Sequence, residues 1–181
     1  MYEVELHIAG TEIPVGYAML EKLTELLPDE PGYEHMYQRL ALVGTTKVQE
    51  VIAGRENIDL KTVHILLRSR QSNVLQPLLC NPRAKEAMTQ IEALRLANSN
   101  QPEVLSTLSW NIGEFSLCEP VQILERFAAD SDPWIRALVM DCDEAPEELL
   151  ERLSLDQDPD VQRAAEKTLE ERHVDLLKGT E

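Results

Sequence analysis

Four aspartates stand in two matching pairs along the chain. Asp130 and Asp132 precede Pro133, and Asp156 and Asp158 precede Pro159. Paired carboxylates can do acid–base chemistry when their surroundings push their pKa values apart. Recurrence at the same place in two similar stretches points instead to helix caps and to hydrogen bonds between neighbouring segments. An aspartate accepts from the free N–H groups of a first helical turn, which is worth roughly 1 kcal/mol. A proline at the first helical position lacks an N–H that would have been unpaired anyway. Asp-Pro therefore starts a helix by two independent means. Arg136 and Arg163 are candidates to pair with these carboxylates, at roughly 0–1 kcal/mol if the pairs are exposed.

Other chemistry is thinly represented. The three cysteines, Cys80, Cys118 and Cys142, and the four histidines, His7, His35, His64 and His173, are scattered. Their spacing is wrong for a zinc site, and the thiols read as small, buried or half-buried groups in a reducing cytoplasm. No phosphate-binding loop, dinucleotide glycine pattern, nucleophile elbow or zinc-protease motif occurs. The expectation is a chain that is not an enzyme and needs no cofactor or metal. Two further features could contact a partner. Arg68, Arg70, Arg83 and Lys85 form the one basic cluster, either a solvated face or a contact for an anion or acidic peptide. Trp134 and Trp110 are candidate interface anchors, because tryptophan is enriched at binding hot spots.

The elements that must position these residues come from an internal repeat. Residues 124–135 read LERFAADSDPWI and residues 150–161 read LERLSLDQDPDV, with six of twelve positions identical. The offset of 26 lies in the range of stacked supersecondary units. Taking the apolar residue after Asp-Pro as an anchor gives Ile135 and Val161, with weaker copies at Val104, Val74 and Val48. Four residues past each lie Val139, Ala165, Leu108, Leu78 and Ile52, all apolar and on the same helical face. A second apolar helix follows, over 63–67, 91–96, 121–127 and 149–155. The longer spacings imply insertions within 86–98 and 112–120. The position before the anchor holds Lys47, Asn73, Glu103, Trp134 and Asp160. It is polar in four of five copies, so it faces solvent and Trp134 breaks it. The column holding Trp110 contains Gly54, Cys80, Asp141 and Lys167.

These units resemble the leucine-rich repeat variant family and, more loosely, HEAT repeats. The resemblance rests on Asp130-Ser131-Asp132-Pro133-Trp134-Ile135-Arg136, on Ala145–Leu153 and on Asn81-Pro82, and is strongest over 119–165. It implies an all-α, right-handed α-solenoid of about five to six two-helix repeats, with Asn-Pro as the usual turn between helices. Asn111-Ile112 and Cys142-Asp143 depart from that turn. The expected organisation is a divergent helical cap or repeat over 1–44, repeats over 45–170 and a tail over 171–181. At the N-terminus, Tyr2, Val4, Leu6 and Ile8 alternate with polar residues, so residues 2–8 fit a short strand as well as a helix. Pro28, Pro31 and Gly32 mark a loop.

The net charge of −16 is segregated: −6 over 1–44, +3 over 45–100, −2 over 101–118 and −11 over 119–181. An acidic chain repels phosphate backbones, which disfavours nucleic-acid binding. An acidic half beside a mildly basic middle suits a basic protein partner or weak head-to-tail self-contact. No run is long and apolar enough for a membrane span and no secretory signal is visible, so the expected location is the cytoplasm. The functional expectation is a non-enzymatic protein–protein interaction scaffold. A nucleic-acid-related helical-repeat protein or DNA mimic, and a lyase-like helical-repeat accessory protein, are the alternatives; the oligomeric state is open.

Overall fold

The computed structural model describes residues 5–8 and 11–178. It opens with an antiparallel hairpin of β1 (Glu5–Ile8) and β2 (Thr11–Pro14), in which Leu6 faces Ile13 and His7 faces Glu12 in register. The helical cap expected over 1–44 is therefore corrected for residues 5–8 and 11–14, where the alternation of apolar and polar residues wins over any helical pattern. Tyr2 and Val4 lie outside the described residues. Everything that follows is helical. The chain forms two compact units that divide between Met88 and Thr89.

The first unit contains α1 (Tyr17–Leu26), α2 (Glu34–Val43), α3 (Thr46–Ala53), α4 (Leu60–Leu66), α5 (Ser72–Leu79) and α6 (Pro82–Ala87). These are three helical hairpins in two layers. Helices α1, α3 and α5 pack side by side in one layer, and α2, α4 and α6 in the other. The second unit contains α7 (Gln90–Ala97), α8 (Pro102–Asn111), α9 (Pro120–Ala128), α10 (Pro133–Ala137), α11 (Glu147–Leu153) and α12 (Pro159–Lys178), with 3₁₀ turns at Ile112–Glu114 and Leu138–Asp141. It repeats the scheme: α7, α9 and α11 form one layer, and α8, α10 with its 3₁₀ extension, and α12 form the other.

Local sequence sets these boundaries. Thr45 accepts from Val48 N at 3.4 Å, Asp59 from Thr62 N at 2.7 Å and Asn81 from Arg83 N at 2.8 Å. Thr89 and Glu92 make a reciprocal capping box that starts α7. The Asp-Pro elements behave as read: Asp132 accepts from Trp134 N at 2.9 Å, and Asp158 from Asp160 N at 2.9 Å and Val161 N at 3.3 Å. Pro82, Pro102, Pro120, Pro133 and Pro159 all open helices. Gly32, in the expected loop, is at φ 104°, a conformation that L side chains rarely adopt.

The core is the seam between layers. Val48, Val74, Val104 and Val161 are buried, as are Ile52, Leu78, Leu108, Val139 and Ala165 four residues on. Ile135 departs from the pattern. It is only half-buried, and the inward position of α10 is taken by Arg136. The second helices expected at 63–67, 91–96, 121–127 and 149–155 coincide with α4, α7, α9 and α11. Helix α6 is unforeseen: Asn81-Pro82 does not merely turn the chain but caps a further short helix that packs on α4. The tail expected over 171–181 is also corrected, because α12 continues to Lys178. Arg172 on that helix donates to the carbonyl oxygens of Cys142, Asp143 and Ala145. Residues 179–181 lie outside the described residues.

Neighbouring hairpins within each unit are joined by polar bonds at near-constant sequence separation. In the first, Arg55 donates to Thr24 O and Glu25 O, Asp29 accepts from Glu56 N and Asn57 N, and Asn81 donates to Ala53 O and Arg55 O, at separations of 26 to 31 residues. In the second, Arg126 donates to Asn98 and Ser109 to Leu138 O, at 28 and 29 residues, and Arg152 pairs with Glu125 at 27.

Candidate interaction surface

Connectivity fixes which side chains share an end of the second unit. Helices α8 and α10 run in the same direction within one layer, locked by the Ser109 hydroxyl on Leu138 O at 2.5 Å. Trp110 sits in the last turn of α8 and Trp134 in the first turn of α10. The two tryptophans are therefore at opposite ends of the layer. Both are exposed, Trp110 at 69% and Trp134 at 43%. The position before the anchor is exposed in all five helices: Lys47, Asn73, Glu103, Trp134 and Asp160. So is the column of Gly54, Cys80, Trp110, Asp141 and Lys167. Trp134 is thus exposed like the polar residues at its position in the other helices.

The Trp134 end holds both aspartate pairs. Asp130 accepts from Asp132 N at 2.9 Å and from Arg126 at 2.7 Å, and these bonds hold its carboxyl below the usual range. Arg136 grips Asp156 in a fork, with both N···O distances 2.7 Å, and spends its remaining nitrogen on Asp130 O and Ser131 O. The bond from Arg136 lowers the Asp156 pKa and, reciprocally, raises that of Arg136. This pair is buried, so the small contribution of an exposed bridge does not describe it. Arg163 pairs with Asp160 on its own exposed helix face. Caps and bridges thus account for the carboxylate cluster.

The Trp110 end is richer in exposed apolar groups. The side-chain amide of Gln90, at the start of α7, accepts from Glu119 N at 2.7 Å and donates to Gln122 at 3.3 Å. The first turns of α7 and α9 therefore lie together, and the 111–119 connection brings the last turn of α8 to the same end. Ile91, Leu117 and Val121 are exposed at this end, as is Trp110, which lies on the other layer. Ile91 and Val121 belong to the apolar runs of α7 and α9. The available signal was angular: α7 buries Ala93, Leu96 and Ala97, and at 100° per residue Ile91 lies on the other side.

The basic residues belong to the first unit and are not gathered into one patch. Arg68 and Arg70 leave α4 beyond its C-terminus, whereas Arg83 lies in the first turn of α6, whose start Asn81 ties to the turn after α3. Arg68, Arg70 and Arg83 are exposed, Lys85 is half-buried, and Arg83 pairs with Glu86 at 3.1 Å. Among the thiols, Cys80 is exposed and Cys142 is buried, donating to Glu144 at 3.2 Å. Burial pushes Cys142 up to about 12 and Cys118 up to about 11, so neither is a poised nucleophile. Among the described residues, no three His, Cys, Asp or Glu side chains are placed to hold a metal, and no helix is long and apolar enough to cross a membrane.

Comparison with known proteins gives no match to a family model, a curated protein or a solved structure.

Proposed function

We propose that this chain is a non-enzymatic protein–protein interaction scaffold. On this reading its helical hairpins are repeats of the kind the leucine-rich repeat variant and HEAT families resemble, wound right-handed as an α-solenoid of five to six units. Such stacks present long surfaces to other macromolecules. The observation that carries the reading is Trp134. It stands exposed at a position occupied by lysine, asparagine, glutamate and aspartate in the equivalent helices. A large aromatic held in water where polar residues suffice fits an interface anchor.

The test is crosslinked affinity capture with the wild type, Trp134→Ala and Trp110→Ala. Both tryptophans are exposed, so the variants should fold normally, with stability changes of about 0.5 kcal/mol or less. A partner whose recovery falls with Trp134→Ala supports the scaffold. Equal recovery by wild type and variant removes Trp134 from it. A DNA mimic is the second reading, supported by the excess of carboxylates over 119–181. In that case the captured protein would be released by duplex DNA.

A further inference from the structure

Resting on the scaffold reading, we infer that the Trp134 end of the second unit takes a basic segment of a protein partner, with an arginine or lysine lying over the indole. Three exposed side chains form a row there. Glu103, Trp134 and Asp160 are each the second residue of a helix, directly after the proline that opens α8, α10 and α12. Those helices lie side by side in one layer, and α10 with its 3₁₀ extension touches both of the others. Packed helix axes stand about 8–10 Å apart. Trp134 therefore has a carboxylate-bearing position one helix spacing away on either side, and the exposed Asp132 two residues before it. Among the described residues, no cation of the chain itself lies on the indole.

What this row accepts depends on the charge left over after internal pairing. The first turns of α8, α10 and α12, the last turns of α7, α9 and α11, and the links between them fall within 94–106, 125–136 and 150–163. These segments hold eight acidic residues and five arginines, with no lysine or histidine. Four arginines are engaged by carboxylates of the same set: Arg126 by Asp130, Arg136 by Asp156, Arg152 by Glu125 and Arg163 by Asp160. Arg95 is also partnered. Glu103, Asp132, Glu151 and Asp158 make no ion pair among the described residues. Lys167 stands two turns farther along α12, in the Trp110 column at the other end.

An indole face attracts a cation, and a rim of one sign of charge selects its opposite. An arginine or lysine meets both demands. Its stem or guanidinium plane lies along the ring while its charge faces the carboxylates. An acidic segment is repelled by the rim, as are nucleic acid and an anionic lipid surface. A purely apolar segment would cover carboxylates that it cannot pair.

The experiment titrates the full chain into a fluorescein-labelled peptide of alternating arginine and glycine, and into its glutamate–glycine counterpart. The expected result is a rise in anisotropy with the arginine peptide only. In the chain carrying Trp110→Phe, the unlabelled arginine peptide should also change the emission of Trp134 saturably. Binding should weaken about tenfold with Trp134→Leu, which keeps apolar bulk but loses the aromatic face. It should weaken similarly with Glu103→Gln plus Asp132→Asn, in which asparagine preserves the helix cap. Glu147→Gln plus Glu148→Gln removes the same charge from the first turn of α11, at the other end, and should leave binding unchanged. Trp134→Asn, the residue at this position in α5, serves if circular dichroism shows Trp134→Leu to be misfolded. No binding, or equal binding of both peptides, overturns the inference. Equal weakening by the Glu147 and Glu148 pair also overturns it, because the attraction is then that of the whole acidic chain. So does a wild-type dimer in sedimentation that Trp134→Leu dissociates, because the occupant is then a second copy. If Trp134→Ala loses a captured partner and the arginine peptide does not bind, the scaffold stands and this inference falls. If the peptide binds as expected and no partner is captured, the inference stands and the scaffold falls.

Discussion

Arg136 and Asp156 are joined by two charge-assisted hydrogen bonds of 2.7 Å, with side chains only 7% and 9% exposed. The pair spans α10 and the turn before α12, and the same guanidinium holds the 130–131 carbonyls. One arginine therefore fastens the α9–α10 turn to the α11–α12 turn.

Breaking this pair leaves a buried charge without its partner. Arg136→Ala and Asp156→Ala should each cost about 3–5 kcal/mol, while Arg136→Met with Asp156→Leu should recover much of the loss. Urea unfolding followed by circular dichroism measures both. The pH dependence follows from the sign of the shift. The folded Asp156 pKa is below its unfolded value of 3.8, so its contribution is complete above that value. It is lost as pH falls from there through the folded pKa. Asp156→Asn should flatten the acid limb of the stability curve below about pH 4 and leave its slope at neutral pH unchanged.

Gly44 is required by space rather than by backbone angle. A Cβ there would lie 2.5 Å from the Leu40 carbonyl oxygen and closer still to Val48 Cγ1. Only Gly44 and Thr45 separate α2 from α3, so the backbone has little slack. Gly44→Ala should lower stability by about 1–3 kcal/mol, read as a drop in Tm. Gly16→Ala, where nothing lies within 4 Å, is the control and should change little.

Asn81 is buried and uses its amide in both directions, accepting from Arg83 N and donating to Ala53 O and Arg55 O at 2.9 and 2.8 Å. Asn81→Asp keeps the cap but turns both donors into acceptors facing carbonyls. It should therefore be at least as damaging as Asn81→Ala, with losses of about 1–3 kcal/mol. Chemical denaturation of the two variants side by side checks the order.

The thiols should react in sequence. Cys80 is exposed, while Cys142 is buried and Cys118 half-buried, with pKa values pushed up to about 12 and about 11. A colorimetric disulfide reagent near pH 8 should titrate one thiol quickly in the native protein and all three in denaturant. Fast native labelling of Cys142 would contradict its placement.

Sequence carried the helical plan because caps and apolar spacing are local signals. The two Asp-Pro elements cap as read, and four of the five anchors are buried. Ile135 misled because its helix is short and the neighbouring Arg136 reaches inward to Asp156, a demand made by a residue 20 positions away. Helix α6 was hidden behind Asn81-Pro82, since a proline that ends one helix also suits the start of the next. Residues 5–8 carried two compatible patterns, and pairing with Thr11–Pro14 selected the strand. Val121 was legible as surface from its angle to Ile123, Leu124 and Phe127 on α9, whereas Leu117 lies in a turn, where no periodicity marks which side meets water.

Within each unit the polar bonds named above join one hairpin to the next, most of them across 26 to 31 residues. Pulled from its termini, a molecule tied in this way should yield in rips, each releasing one hairpin. At about 3.5 Å of contour per residue, each step would lengthen the chain by about 10 nm. Within each unit, tension would pass from hairpin to hairpin through these links.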